Sequence, residues 1–414
     1  MMQPAVAVFD ADLPTGLATI RSLGRAGIEV NAYHQSSTAM GRYSRYASSF
    51  RECPSIADSD VFVSWLTEEL DRGRIELVAP TSDSIIFHAA NAMARLDGRV
   101  DVGHPDPESS RDALLKHRFA TALDRVGFPT PATAAPTSVE EAVRFADKVG
   151  YPLVAKPRCH PGVGVDRGMI FTTEEELRGG FAPFDGEAQG QHDSVLAIDP
   201  DIRWPLLQEL VEVDELEVIS VSGCLGRSGE VLALDHSKKV RLWPPKLGIG
   251  SLFIAEEPQP FTDHAVAAVQ QILGSGIFEF EVLFDRASGR YWGIDLNPRG
   301  FGQMALDIAR GNDLPLRWYQ SVTGTSFASN PTPEVVTTQW QMALPLFADL
   351  GVELYRGENR RETLAALRRA CGRSTVGATG DWRDPLPGLL LAKSMLRHPG
   401  GLVRPFLDRD ESAG

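Results

Sequence analysis

Four oxygen-bearing side chains lie in two apolar stretches that are typical of neighbouring β-strands. In IFEFEVLF, Glu279 and Glu281 share one strand face, because alternate residues of a strand point the same way. In YWGIDLN, Asp295 and Asn297 likewise share a face. If the intervening turn centres on Ser288, Glu281 lies opposite Asp295 and Glu279 opposite Asn297. We therefore expect a hairpin that carries three carboxylates and one amide on one face.

This arrangement indicates a divalent cation. Like charges placed directly across a sheet destabilise it unless a cation neutralises them. Mg²⁺ takes carboxylate and amide oxygens together with substrate phosphates, and Arg299, just after the second strand, is suited to phosphate. The sequence therefore predicts a metal site made by Glu281, Asp295 and Asn297. A hairpin with one solvated face is the alternative, and for Glu279 the two interpretations are evenly balanced.

The elements that must position this hairpin begin with an alternating segment. The strands AVAVFDA, IEVNAYH and IELVAPT alternate with the helices TGLATIRSLGRAG, SDVFVSWLTEELDRG and SDSIIFHAANAMARL. Alternation predicts a parallel sheet covered on both faces, with ligands near the carboxyl ends of its strands at residues 10–16 and 80–84. The first turn, DADLPTG, is not GxGxxG, so the dinucleotide-binding signature of many oxidoreductases is missing.

The rest of the chain divides by pattern. Helical segments precede the strand YPLVAKP, strands predominate from about residue 206, and a Pro/Thr-rich break after residue 326 leads into a mixed, helical end. We predict an N-terminal α/β domain at 1–107, linker helices with a first subdomain and glycine loop at 108–205, a second subdomain with the metal site at 206–325, and a C-terminal extension at 326–414.

Composition argues against several classes of protein. The 414 residues fit two or three domains, and the net charge of −14 at pH 7 disfavours nucleic-acid binding. Four cysteines without a CxxC pair argue against a disulfide framework or structural zinc. The sequence contains no apolar run long enough for a membrane span, and its first residues lack the basic start of a signal peptide. We expect a cytoplasmic protein.

In the order and spacing of its motifs, the chain resembles ATP-grasp enzymes of the carboxylate–amine ligase type. FEVLFDRASGRYWGIDLNPR resembles the pair of metal-binding strands that ends in (E/D)xNPR, and VAVFDADLPTGLATIRSLGRAGIEV resembles the domain that precedes the grasp fold. The similarity extends over about residues 4–325. It implies a multidomain α/β and α+β protein, with an ATP-grasp fold preceded by a Rossmann-like parallel-sheet domain.

The resemblance also implies roles for two lysines and a glycine loop. Lys116 matches a lysine that contacts ATP phosphates, and Lys156 matches a strand lysine that reaches the α-phosphate and the adenine edge. A lysine that closes an apolar strand is costly unless an anion awaits it, although snorkelling is an alternative for Lys156. Gly162 and Gly164, with Gly168, match the loop that closes over the β- and γ-phosphates, although GxG alone is often only a turn.

Further positions match the nucleotide and acceptor sites of the family. The adenine- and ribose-contacting positions are Gln208, Glu209, Leu210 and Glu215. Lys239 and Arg241, which we expect on one strand face, match basic residues beside the γ-phosphate and the acceptor carboxylate. A solvated acidic edge strand and a purely structural basic strand are the respective alternatives.

The reaction implied by the resemblance joins a carboxylate to an amine through an acyl phosphate and converts ATP to ADP and phosphate. The implied cofactors are ATP and Mg²⁺, for which Mn²⁺ can substitute. Lys116, Lys156 and Arg299 would stabilise the transferring phosphoryl group. The expected partners are small carboxylate and amine substrates of amino-acid or peptide type, without nucleic acid or membrane, and a homodimer is an option for the C-terminal extension.

Two alternatives of different class stay open. One is another ATP-grasp chemistry, with bicarbonate or a thiol, although the sequence shows no recognisable biotin- or coenzyme-A-handling module. The other is a non-catalytic nucleotide-binding protein, although Asp295, Asn297 and the lysines are all retained. The sequence also lacks GxxxxGK(S/T), the signature of P-loop NTPases.

Overall fold

The strands of the chain are arranged in separate sheets. The computed structural model describes residues 3–97, 99–159, 168–183, 199–213, 215–243, 249–326, 336–357 and 360–397. Within these ranges the strands form three sheets: an N-terminal sheet, a small sheet in the middle of the sequence and a large sheet that carries the acidic hairpin.

The N-terminal sheet is parallel, as the alternating pattern predicts, and its strand order is β3-β2-β1-β4. Its strands are β1 (Val6–Val8), β2 (Val30–His34), β3 (Ser49–Glu52) and β4 (Leu77–Val78). Its helices are α1 (Pro14–Arg25), α2 (Ser59–Asp71) and α3 (Asp83–Arg95). Val6 and Val8 pack with α1, while Ala7 and Phe9 pack with α2 and α3. Both faces of the sheet are therefore covered.

The small sheet is antiparallel, with strand order β5-β8-β6-β7. Its strands are β5 (Thr133–Ala134), β6 (Leu153–Lys156), β7 (Met169–Phe171) and β8 (Leu206–Glu209). The accompanying helices are α4 (Pro107–Leu114), α5 (Lys116–Val126), α6 (Val139–Val149) and α7 (Glu174–Gly180). Although β8 follows the predicted boundary at residue 206, it is hydrogen-bonded to β5 and β6 and belongs to the small sheet.

The large sheet has seven strands in the described part of the chain, in the order β13-β12-β9-β10-β11-β14-β15. They are β9 (Leu216–Leu225), β10 (Val231–Trp243), β11 (Ile249–Ala255), β12 (Gly276–Asp285), β13 (Tyr291–Asn297), β14 (Gln339–Gln341) and β15 (Thr375–Gly377). The helices of this region are α8 (Thr262–Ile272), α9 (Met304–Ala309), α10 (Leu314–Thr323), α11 (Ala343–Arg356), α12 (Arg360–Ala370) and α13 (Pro385–Arg397). Helices α5 and α8 cover one face of the sheet through an aromatic core.

The C-terminal extension is part of this sheet. Its strand β14 pairs with β11, and the Trp340 ring packs edge-on against Phe253 with 5.6 Å between ring centroids. The extension also reaches the N-terminal unit, where Arg21 Nε donates to Asp384 Oδ2 at 2.9 Å in a buried ion pair. The C-terminal extension thus contacts both the large sheet and the N-terminal unit.

Two further features concern cysteines and long apolar helices. The four cysteines all lie in the described ranges, and none of them forms a disulfide bond; Cys371 is exposed and the other three are buried. Among the helices that the structure describes, none combines the length and the apolar character needed to cross a membrane.

Trp340→Ala is expected to lower the free energy of unfolding by about 3–5 kcal/mol, because it removes a large ring from a packed core. Trp340 is 1% exposed, whereas Trp382 of the same extension is 83% exposed, so Trp382→Ala is a matched control with little expected effect. Urea unfolding followed by circular dichroism measures both. Equal midpoints for the two variants would show that the extension does not share the core of the sheet.

Candidate active site

The acidic hairpin has the register expected from the sequence. Glu281 lies opposite Asp295, and Glu279 lies opposite Asn297. The alternate residues of β12, among them Phe280, point into the aromatic core with α5 and α8. Since one face of β12 packs into that core, the polar side chains lie on the other face.

Two lysines neutralise the facing carboxylates. Lys116, the first residue of α5, places its Nζ in direct contact with Asp295 Oδ1. Lys239 on β10 donates from Nζ to Glu281 Oε1 at 2.5 Å. All four side chains are at most 20% exposed, so each pair is shielded from bulk water. The repulsion that the sequence predicts across the two strands is thus balanced by ammonium groups from two other elements.

Lys156 lies close to these charges at the end of β6. Its Nζ donates to Gln208 Oε1 at 2.9 Å, and Gln208 Nε2 donates to Thr133 Oγ1 at 3.0 Å. Burial lowers the pKa of Lys156 to about 8, and the nearby Lys116 and Lys239 ammonium groups act in the same direction. A polyanion that binds beside this buried amine would stabilise its charged form.

Arg299 joins the hairpin to the N-terminal sheet. It binds Asp83, the first residue of α3, through Nε–Oδ1 at 2.5 Å and Nη2–Oδ2 at 3.1 Å. Its Nη2 also donates to Asn297 Oδ1 at 2.9 Å. Burial alone would lower the pKa of Arg299, but the Asp83 carboxylate outweighs it and the pKa is raised. The next residue also contacts the N-terminal unit, because Gly300 N donates to Pro80 O at 2.8 Å.

Glu279 is almost fully buried, at 3% exposure. Its Oε1 accepts hydrogen bonds from Ser220 Oγ, at 2.7 Å, and from Gln303 Nε2, while its Oε2 accepts from Asn297 Nδ2 at 3.1 Å. Burial raises the pKa of Glu279 to about 7, and the neighbouring Glu281 carboxylate adds to the rise.

The prediction that Lys239 and Arg241 share a strand face is wrong. The pairing between β10 and β11 is irregular between these two residues, so that Lys239 pairs with Phe253 but Arg241 pairs with Leu252. Leu252 packs with α11 and α12, whereas Phe253 packs with α9 and β14. Because consecutive strand residues point to opposite faces, Arg241 points away from the face that carries Lys239.

Arg241 instead binds the C-terminal extension. Its Nη1 lies 2.8 Å from Asp349 Oδ2 and 2.7 Å from Glu353 Oε1, both on α11. Burial opposes the charge of Arg241, but the two carboxylates prevail and raise its pKa. The structure therefore brings Lys239, and not Arg241, to the acidic hairpin.

At the positions expected to contact adenine and ribose, the backbone N–H groups of Glu209 and Leu210 are hydrogen-bonded to backbone carbonyls of the protein. Glu209 N donates to Ala132 O at 2.8 Å, and its carboxylate accepts from Ala132 N at 3.2 Å. Leu210 N donates to Pro152 O at 3.2 Å. Glu215 is exposed in the turn before β9. The bonds of Glu209 and Leu210 thus join the end of β8 to the residues just before β5 and β6.

Some predicted residues lie outside the described chain, and some site residues are not apparent from the sequence pattern. Gly162 and Gly164 fall between Cys159 and Gly168, outside the described residues. Asp83 could have been found, because it follows a predicted strand at the ligand-bearing edge of the parallel sheet. Gln303 carried no sequence signal, since its role depends on a loop folding back over the hairpin.

The oxygens of Glu281, Asp295 and Asn297 fit a hard divalent cation. They are carboxylate and amide oxygens on adjacent positions of two paired strands, which is the ligand type that Mg²⁺ prefers. The described residues contain no cluster of three or more His, Cys, Asp or Glu arranged for a metal ion. The candidate set, with two carboxylates and one amide, leaves further positions for phosphate and water, as Mg²⁺ sites commonly do.

Known proteins share this architecture. No family model matches the chain. The sequence is 26% identical over 303 residues to the formate-dependent phosphoribosylglycinamide formyltransferase of Ignicoccus hospitalis, which covers 69% of this chain and 66% of that protein. The chain thus spans just under two thirds of the length of this relative.

Solved structures give the same picture of the fold. The biotin carboxylase domain of the Hydrogenobacter thermophilus 2-oxoglutarate carboxylase, in complex with MgADP, ADP and bicarbonate, has a TM-score of 0.62 at 17% identity, over 81% of this chain and 72% of that one. The L-amino acid ligase of Bacillus licheniformis has a TM-score of 0.58 at 14% identity, over 78% and 75%. These likenesses confirm the ATP-grasp fold.

Nucleotide binding at about pH 8.5 is expected to take up protons, because a phosphate chain beside Lys156 would raise its pKa above the value of about 8. The affinity should accordingly fall as the pH rises past 8, when the free lysine loses its charge. Calorimetry in buffers with different ionisation enthalpies measures the uptake. Lys156→Met should abolish it and Lys148→Met, at an exposed position of α6, should not. Equal uptake in both variants would remove Lys156 from the nucleotide site.

Asp83→Asn is expected to destabilise the protein by about 3–5 kcal/mol, because it leaves the shielded Arg299 charge without its partner. Asp71→Asn serves as the control, since its ion pair with Arg99 is exposed and should matter little. Urea unfolding gives both values. A loss for Asp83→Asn no larger than for the control would contradict the view that this pair fastens the hairpin to the N-terminal sheet.

Proposed function

We propose that this chain is an ATP-dependent carboxylate–amine ligase that works through an acyl phosphate and releases ADP and phosphate. One observation carries the proposal: Lys116, Lys156 and Lys239, from three different elements, converge on Glu281 and Asp295. Such a cluster suits the binding of a polyphosphate together with a cation. The names of its relatives, a formate-dependent formyltransferase and an L-amino acid ligase, support a carboxylate and an amine as substrates.

ATP and Mg²⁺, with Mn²⁺ as a substitute, are the proposed cofactors. Glu281, Asp295 and Asn297 would hold the cation, which when bound supplies neutralisation of phosphate charge. Lys116 and Lys239 would then exchange their carboxylate partners for phosphate oxygens. This exchange keeps every charge paired in both states, so that the cost of burying the ammonium groups is offset with and without nucleotide.

The proposed reaction has two balanced steps. A substrate carboxylate oxygen attacks the γ-phosphorus, and the bond from that phosphorus to the β–γ bridging oxygen breaks to release ADP. The amine nitrogen then attacks the acyl carbon, the bond from that carbon to the phosphate oxygen breaks, and the amine loses a proton. Arg299 and Lys239 would stabilise the transferring phosphoryl group by charge and position. Arg241, bound to α11, has a structural role in this scheme.

The substrates are proposed to be small and of amino-acid or peptide type, in a cytoplasmic protein that can form a homodimer. A second candidate is bicarbonate in place of an organic carboxylate. It is supported by the neighbour in complex with MgADP and bicarbonate.

The test is ADP release from Mg·ATP in the presence of pooled amino acids, formate or bicarbonate, with amines or hydroxylamine as acceptors. Asp295→Asn is the blank, and its rate should fall by about 10²–10³-fold, the range for loss of one electrostatic group. Pool-dependent ADP release with a matching product mass supports the ligase and separates the two candidates. Tight Mg·ATP binding without ADP release from any pool would favour a non-catalytic nucleotide-binding protein.

A further inference from the structure

Glu279 differs from Glu281, its neighbour on the same strand face, because both of its oxygens accept hydrogen bonds from uncharged protein donors. Ser220 Oγ and Gln303 Nε2 donate to Oε1, and Asn297 Nδ2 donates to Oε2. An ionised carboxylate only accepts hydrogen bonds, so three donors match it well. Glu281, by contrast, has a lysine as its partner, which phosphate can replace.

The contact with Glu279 decides which way the Asn297 amide points. With Nδ2 held by Glu279 at 3.1 Å, Oδ1 is the atom left to face Arg299 Nη2, at 2.9 Å. Only the amide oxygen can serve as a ligand for a hard cation. If the amide rotated by half a turn, its NH₂ group would face the Arg299 guanidinium, and two donors would meet.

We propose that Glu279 is a positioning residue, which fixes the Asn297 amide so that its oxygen faces the cation and phosphate site. This inference rests on the proposed metal site, and it assigns Glu279 a role other than that of a ligand. Neighbours that orient a metal ligand in this way typically change metal affinity by about 10–100-fold when they are replaced.

The test exchanges donor and acceptor between the two side chains. In Glu279→Gln the new NH₂ group faces the Asn297 NH₂ group, and in Asn297→Asp two carboxylates face each other. The double variant restores one hydrogen bond, from Gln Nε2 to Asp Oδ, keeps the total charge and leaves Oε1 to accept from Ser220 and Gln303. Mn²⁺ binding to the protein with ADP, followed by electron paramagnetic resonance, is the readout.

Each single variant should bind Mn²⁺ at least about 10-fold more weakly than the wild type, and the double variant should recover to within about threefold of it. Recovery alone does not separate the two roles, because Asn297→Asp adds a carboxylate to the site. The sign of its effect does: a positioning role predicts that Asn297→Asp weakens Mn²⁺ binding in the wild type and strengthens it in Glu279→Gln, whereas a direct ligand role predicts strengthening in both. A double variant no better than the weaker single variant would overturn the proposal. So would unchanged affinity in Glu279→Gln.

A second, milder variant tests the proposal in case Glu279→Gln does not fold. Ser220→Ala removes one donor to Glu279 Oε1 without touching residue 297, and it should weaken Mn²⁺ binding by about two- to fivefold. If Glu279→Gln fails to fold, unchanged binding in Ser220→Ala overturns the proposal by itself. Thermal unfolding of each variant identifies a folding defect.

The readout separates this inference from the proposed function. Mn²⁺ and ADP can bind without turnover, so opposite effects of Asn297→Asp in the wild type and in Glu279→Gln, in a protein that ligates nothing, would support the role of Glu279 and contradict the ligase. A wild-type protein that binds no Mn²⁺ with ADP would contradict the metal site and the positioning role together.

Discussion

Two carboxylates that face each other across neighbouring strands must be neutralised, and this requirement explains why lysines from other elements are placed beside the acidic hairpin. Glu281 and Asp295 are shielded from water, so their repulsion has to be met by cations held at short range. One cation comes from the start of α5 and the other from β10. Helix α5, the acidic hairpin and β10 are therefore joined by one electrostatic cluster. In the proposed function, a bound cation with phosphate would neutralise the same charges.

The sequence predicts this cluster in part. The predicted pairs Glu281–Asp295 and Glu279–Asn297 are confirmed, but not because the turn centres on Ser288. Next to the turn Val282 pairs with Gly293, and an irregularity between Glu281 and Val282 shifts the pairing by one residue, which the sequence pattern does not reveal. The face of Arg241 could not be predicted, because an irregular pairing between β10 and β11 leaves no trace in the pattern of residues. Gln303 could not be predicted as a partner of Glu279, since it reaches the hairpin only through tertiary folding, whereas Asp83 lies at the edge of the parallel sheet where ligands are expected.

In the C-terminal extension, too, some elements can be predicted from the local sequence and others depend on long-range contacts. Its helices are visible in the sequence, but β14 and β15 are three residues each, too short for a periodic signal. The edge of β11 offers hydrogen bonds to β14, Phe253 offers a ring for Trp340, and β15 pairs in turn with β14. With Asp384 bound to Arg21 of α1, the extension also links the large sheet to the N-terminal unit.

The measurement that tests the central claim most directly is the anomalous difference map of crystals grown with ADP and Mn²⁺. The claim is that nucleotide and cation replace the lysine–carboxylate pairs. The map should show manganese among the oxygens of Glu281, Asp295 and Asn297, with Lys116 Nζ turned from Asp295 to a phosphate oxygen. Manganese bound elsewhere, or ADP bound while both lysines still hold their carboxylates, would contradict the claim.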